Sequence, residues 1–164
     1  MKILDHRQIK QKIKRLAYEI LENNYGESEL ILAGINNAGM IFAKLLFEEL
    51  KQIKLIPVQL IHIKLTPADP LSQPVQIEVP PKDLENKVVI VVDDVANTGR
   101  TIFYACKPLL ETLPKKIEVT VLVDRTHKSF PVKVDYVGLS LATTLKENID
   151  VRMQDRNDLA VFLN

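Results

Sequence analysis

The chain has 164 residues, 46% of them hydrophobic, with 22 lysines and arginines against 21 aspartates and glutamates. That length suits one domain with a full core, and a net charge of +1 gives no global basic field to argue for nucleic acid. The single cysteine, Cys106, leaves no intrachain disulfide, no apolar run is long enough to span a bilayer, and the opening MKILDHRQIKQKIKR has no signal-type apolar segment; the expectation is a cytoplasmic protein with no membrane partner.

Asp5 is placed to cap a first helix in which Ile9, Ile13, Leu16, Ala17, Ile20 and Leu21 share one face. Arg7, Lys10, Lys12, Lys14 and Arg15 fall away from that stripe, as a solvated face does. Asn23, Asn24 and Gly26 end the helix. Residues 29–35 read as a short buried strand, 36–39 as a polar loop and 38–51 as a helix, with 54–65 the next strand. Pro67, Pro70, Pro74, Pro80 and Pro81 break regular structure over 66–81, although 75–79 alternates like a short strand. A long irregular segment in a compact domain is usually functional or disordered, and this one precedes the apolar strand 88–92, where a mobile active-site loop belongs. Residues 101–113 follow as a helix carrying Cys106 as a small core residue. Strands then read at 116–124 and 131–137, with two shorter ones at 151–154 and 159–163. The alternation predicts a single α/β domain over 1–164. Its sheet is central, mostly parallel and flanked by helices, with a small β-rich part at about 138–164.

The chemistry concentrates in 88–101, VVIVVDDVANTGRT. A β-branched run ends in two carboxylates, Asp93 and Asp94; Asn97, Thr98, Gly99, Arg100 and Thr101 then lead into a helical pattern. Open α/β sheets bind ligands at the carboxyl ends of their strands. Backbone N–H groups at the start of a helix favour phosphate, and a glycine lets the backbone approach it. The carboxylates can accept from sugar hydroxyls or hold Mg²⁺, in part through water.

Gly34-Ile-Asn-Asn-Ala-Gly39 also joins a strand to a helix, but Met40 and Ile41 stand where a P-loop has Lys and Ser/Thr, so triphosphate hydrolysis is not supported. No GxGxxG follows a strand, which leaves a dinucleotide site unsupported as well. From spacing alone this segment is equally an anion site, through Asn36, Asn37, Ala38 and Gly39, or a purely structural turn. Asp124 and Arg125 close a further strand as a salt bridge or as ligand contacts. His6, His62 and His127 have no metal-ligand spacing.

Joined in one string, the acidic pair and TGRT resemble the phosphoribosyl-pyrophosphate loop of the type I phosphoribosyltransferases. ILDHRQIKQKIKRLAYEILENN, LILAGINNAG, LVDRTHKSFPVKVDYVG and NDLAVFL extend the likeness, in order, to the pyrimidine-operon attenuator and uracil phosphoribosyltransferase family. The resemblance implies that fold, with a C-terminal hood, and phosphoribosyl transfer to a nucleobase, uracil first, with Mg²⁺ and a homodimer. It implies that Asp93 and Asp94 hold the ribose hydroxyls and help place the metal. Asn97 to Thr101 would bind the 5′-phosphate and Asn36 to Gly39 would line the pyrophosphate. The base would sit near Arg125, Tyr136 and Val137. It also implies RNA as a partner.

The chain departs from that family's pattern at several places. The family's GIKTRG is GINNAG here, Tyr-Arg-Asp-Asp of its mobile loop is replaced by LTPADPL, and no carboxylate stands at Asn97. The Thr and His of the family's first helix are Lys14 and Tyr18, and two of its arginines are Lys128 and Lys133. Two further readings therefore accompany the enzyme: a nucleotide-responsive RNA-binding regulator, and a sensor of phosphoribosyl pyrophosphate with weak catalysis.

Overall fold

The computed structural model describes residues 1–144 and 146–164. Its elements are β1 (Lys2–Leu4), α1 (His6–Asn23), β2 (Leu30–Ile35), α2 (Asn36–Ile53), β3 (Val58–Lys64), β4 (Gln76–Ile77), β5 (Val88–Ala96), α3 (Arg100–Ala105), β6 (Lys116–Arg125), β7 (Tyr136–Leu141), β8 (Ile149–Arg152) and β9 (Ala160–Leu163). Two 3₁₀ turns, Pro81–Leu84 and Lys107–Glu111, precede β5 and follow α3.

Leu30–Ile35 and the first five residues of β5, Val88 to Val92, are apolar on both faces, which is the pattern of strands covered from both sides. They form the centre of a six-stranded sheet of order β4-β3-β2-β5-β6-β7, parallel except for β4. Leu30, Leu32, Val88, Ile90 and Val92 pack with α1, α2 and the hood; Ile31, Ala33, Val89 and Val91 pack with Ile102, Ala105 and Leu109 on the opposite face. The chain runs from β2 to β3 on one side and then crosses to β5 on the other. The order reverses between β2 and β5, so the crevice at their carboxyl ends is the topological switch point.

Several expectations need correcting. The polar loop 36–39 is the first turn of α2, entered through Asn36 at φ 50°, a left-handed conformation that asparagine tolerates. Strand β5 runs on to Ala96, so the acidic pair is held within the ladder. The helix expected over 101–113 stops at Ala105 and tightens into a 3₁₀ turn containing Pro108, whose ring and missing N–H do not suit an α-helix interior. The strand expected at 131–137 is an extended connection, and β7 begins only at Tyr136, where pairing with Thr120 starts. The hood is the sheet β1-β9-β8; β7 belongs to the central sheet, and the N-terminal strand joins the C-terminal pair.

Candidate active site

Asp93 and Asp94 lie where β5 reaches the switch point. The Asp94 N–H donates to Asp93 Oδ1 at 2.9 Å, and the Val95 N–H donates to Asp94 Oδ1 at 2.9 Å. Asp93 is only 8% exposed. Burial, and then the charge of Asp94 beside it, push its carboxyl well above the usual carboxylate range. Gly39 is packed against this point: a Cβ there would stand 2.6 Å from the Val92 carbonyl oxygen and 3.3 Å from Asp93 Oδ1. The glycine therefore sets how closely the start of α2 approaches the acidic pair.

Residues 95–102 curl into a cradle of about 40 Å³ lined by Asn97, Thr98, Gly99, Arg100 and Thr101. The first turn of a helix leaves N–H groups without intrahelical partners, and here they belong to this wall. Gly99 has φ 87°, and a side chain would meet Val132 at 3.2 Å. The 126–135 connection clasps the cradle from behind: the N–H groups of Ser129 and Phe130 both donate to the Thr98 carbonyl, at 2.9 and 3.2 Å. Lys128, paired with Asp124 at 2.6 Å, lays its alkyl chain alongside Gly99.

A cavity of about 470 Å³ joins the two sides of the crevice. Asn36, Asn37 and Ala38 line one wall, Asp93, Asp94, Asn97 and Thr101 the other, and Pro67 and Ile149 close it. The root of the proline-rich segment is tied across it, because the Arg100 guanidinium donates to the Pro67 carbonyl at 2.7 Å and the Leu65 N–H donates to Asn36 Oδ1 at 3.0 Å. The structure thus brings together the acidic pair, the 97–101 cradle and the 36–39 turn.

Arg125 reaches the edge of this assembly as an anchor. Its guanidinium donates to Thr143 Oγ1 at 2.7 Å, to Asn97 Oδ1 at 3.3 Å, and to the carbonyls of Thr144 and Glu147 at 2.8 and 3.0 Å. It fastens the lead-in to hood strand β8 onto the cradle.

Tyr136 and Val137 are not at the crevice. They open β7 rather than end it, and in a parallel sheet the ligand end is the other one, at Leu141. The Tyr136 hydroxyl donates to Glu118 Oε2 at 2.7 Å and lies 3.4 Å from Asn24 Nδ2; burial and Glu118 raise its pKa. The Val137 carbonyl accepts from Arg15 at 2.7 Å. Both residues tie β7 to its neighbours. Ile149 and Pro67, which do line the cavity, carried no chemical signal in the sequence, since their place depends on how the hood and the proline segment fold back.

Among the described residues no group of three or more His, Cys, Asp or Glu is arranged to hold a metal. Asp93 and Asp94 alone are a poor cage, but they fit Mg²⁺, which takes one or two carboxylates and completes its shell with water and substrate oxygens. Among the described residues no helix is long and apolar enough to cross a membrane.

Comparison with known proteins agrees with this geometry. The model of the phosphoribosyl transferase domain matches residues 1–156. The Bifunctional protein PyrR of Bacillus pumilus (strain SAFR-032) is 37% identical over 174 residues, covering 98% of this chain and 95% of that one. Its counterpart in Bacillus subtilis (strain 168) is 36% identical, covering 99% and 96%. Among solved structures, a hypoxanthine-guanine phosphoribosyltransferase (hpt-2) from Bacillus anthracis str. 'Ames Ancestor' has TM-score 0.76 at 22% identity, covering 98% of this chain and 97% of that chain. A hypoxanthine phosphoribosyltransferase from Staphylococcus aureus has TM-score 0.72 at 19% identity, covering 86% and 77%. These two likenesses speak to the fold. An acidic pair and a phosphate-sized cradle at the switch point, with matches that run nearly the whole length, place the chain in the phosphoribosyltransferase family, in its type I, PyrR-like branch.

Proposed function

We propose that the protein transfers phosphoribosyl from phosphoribosyl pyrophosphate to a nucleobase, uracil first, giving UMP and pyrophosphate, and that it acts as a homodimer in the cytoplasm. The observation that carries this reading is a cavity walled by Asp93, Asp94, Asn36, Asn37 and Ala38 that adjoins the 97–101 cradle through Asn97 and Thr101. Those walls correspond to the three parts of the sugar-phosphate substrate. Asp93 and Asp94 accept from the ribose hydroxyls. The amides and hydroxyls of Thr98, Gly99, Arg100 and Thr101 receive the 5′-phosphate beside Asn97. Asn36, Asn37, Ala38 and Gly39 line the pyrophosphate.

Positioning is the main catalytic resource, because holding base and ribose C1 in register removes the entropy of their encounter. The transition state is oxocarbenium-like, as in glycoside hydrolysis, and needs charge neutralised on the departing pyrophosphate. Mg²⁺, held by Asp93 and Asp94 in part through water, would supply that neutralisation when bound. The base enters the cavity beside Ile149, its apolar wall, while Arg125 holds the hood's lead-in and Asn97 at the edge of that space.

The test is pyrophosphate release from phosphoribosyl pyrophosphate and Mg²⁺ with uracil, hypoxanthine, guanine, adenine and orotate in separate reactions. Turnover with uracil alone supports the full reading, and turnover with another base moves the substrate. Calorimetric binding without turnover supports a sensor instead.

A second reading, RNA binding, is favoured by the outer face of α1, where Arg7, Lys10 and Lys14 are exposed. A pyrimidine-leader RNA that fails to shift at low salt overturns it, since phosphate contacts are strongest there.

A further inference from the structure

His62 lies on β3 opposite Gly34 and half-buried. Its Nε2 is 3.0 Å from the carbonyl oxygen of Asn36. A carbonyl only accepts, so Nε2 carries the hydrogen. Asn36 is also held from a second direction, because its Oδ1 takes the Leu65 N–H at 3.0 Å. With Oδ1 committed, Nδ2 is the polar side-chain atom left for the cavity that Asn36 lines. Two bonds, one from β3 and one from the residue just after it, therefore fix a left-handed residue and decide which end of its amide serves the ligand.

We propose that His62 is a positioning residue that, through Asn36, presents a neutral amide donor to the leaving pyrophosphate and ties that wall to the root of the proline-rich segment. This rests on the transferase reading above. The arrangement differs in kind from a cationic wall. An ammonium attracts any anion over a distance and from any angle, whereas an amide N–H rewards only a correctly placed oxygen. Fixing the backbone and Oδ1 of Asn36 is then what makes the donor useful. The Leu65 bond adds a mechanical consequence: the segment that begins after it, tied again at Pro67 by Arg100, cannot shift at its root without disturbing the Asn36 amide.

The experiment compares His62→Phe, His62→Gln and Asn36→Asp with the parent protein. Phe keeps a planar ring without the donor, Gln restores a donor, and Asp keeps the acceptor for Leu65 while replacing Nδ2 by a charged oxygen. The readouts are KM for phosphoribosyl pyrophosphate, kcat, and calorimetric affinity for UMP, which occupies the ribose-phosphate cradle but has no pyrophosphate. We expect His62→Phe to raise KM for phosphoribosyl pyrophosphate five- to tenfold, His62→Gln to lie within twofold of the parent, and Asn36→Asp to raise it more than tenfold. UMP affinity stays within twofold in all three. A loss shared equally by UMP, or no KM difference between His62→Phe and His62→Gln, overturns the assignment while leaving the transferase reading intact. A parent protein that releases no pyrophosphate with any base overturns the transferase reading and this one with it.

Discussion

Asp93→Asn should make the protein more stable and nearly useless. The Asp93 carboxylate is buried, its Oδ1 accepts the Asp94 N–H, and its neighbour is another carboxylate. Asparagine has the same shape, keeps the Oδ1 acceptor and removes the charge. Because the folded-state pKa of Asp93 is raised above its unfolded value, the native state binds more protons between the two values. The Asp93 contribution to stability therefore falls as pH rises through that window, and its penalty is fully present only above the raised folded pKa. Relieving one buried, like-charge-opposed carboxylate stabilises by about 1–3 kcal/mol, which for a domain of this size lifts Tm by about 2–12 °C. The gain over the parent narrows as pH falls toward the unfolded value of about 3.9, since the parent then neutralises Asp93 itself. Lost hydrogen bonding to a charged acceptor weakens phosphoribosyl-pyrophosphate binding roughly ten- to a hundredfold. Thermal melts without Mg²⁺ from pH 8 to pH 4.5, with calorimetry at pH 8, measure both. Equal melting at pH 8, or a gap that does not narrow on acidification, refutes the view that Asp93 is a destabilising carboxylate kept for its ligand.

Gly39→Ala places a methyl 2.6 Å from the Val92 carbonyl; overpacking of about 1–3 kcal/mol exceeds the helix-propensity gain of about 1 kcal/mol. Melting temperature and ligand affinity should fall together, and a variant at parent level in both would show the contact to be slack. Tyr136→Phe removes the hydroxyl from Glu118 and should lower Tm by several degrees while both KM values stay put; a changed KM for the base would return Tyr136 to the active site. Burial pushes the Cys106 thiol up to about 11, so at pH 8 only about one molecule in a thousand carries the thiolate. Alkylation by iodoacetamide should run at least a hundredfold slower than for a free thiol, and rapid labelling of folded protein would contradict the packing.

The sheet and the core of the site were legible because both are written locally. Leu30–Ile35 and Val88 to Val92 are apolar without alternation, and the carboxylates and TGRT follow the second of them. What was lost depends on distant partners. Val132 and Val134 alternate with polar neighbours as a strand would, yet both pack on the core and Val132 fills the space behind Gly99, and no local pattern says whether an extended segment has a neighbour to pair with. Strand β1 is three residues long and is a strand only because Phe162 and Val161 lie beside it. His62 looked idle because its partner, Asn36, precedes it by 26 residues. Tyr136 departs from the expected place for a related reason: with β7 starting at 136 rather than 131, the tyrosine stands at the base of the sheet and not at its ligand end.

The hood joins the first strand of the chain to the last, with the Met1 amino group bonded to the Leu163 carbonyl across 162 residues. Contacts so far apart in sequence carry the largest loop-closure entropy and form late. The central sheet, with its shorter sequence separations, can therefore assemble before the hood closes over the crevice. In the finished molecule the same sheet is a natural unit of partial opening. Releasing β9 frees β1 and β8 together and uncovers Ile149 from the cavity without unravelling β5, so amide exchange in the three hood strands should report ligand occupancy more sensitively than exchange anywhere in the central sheet.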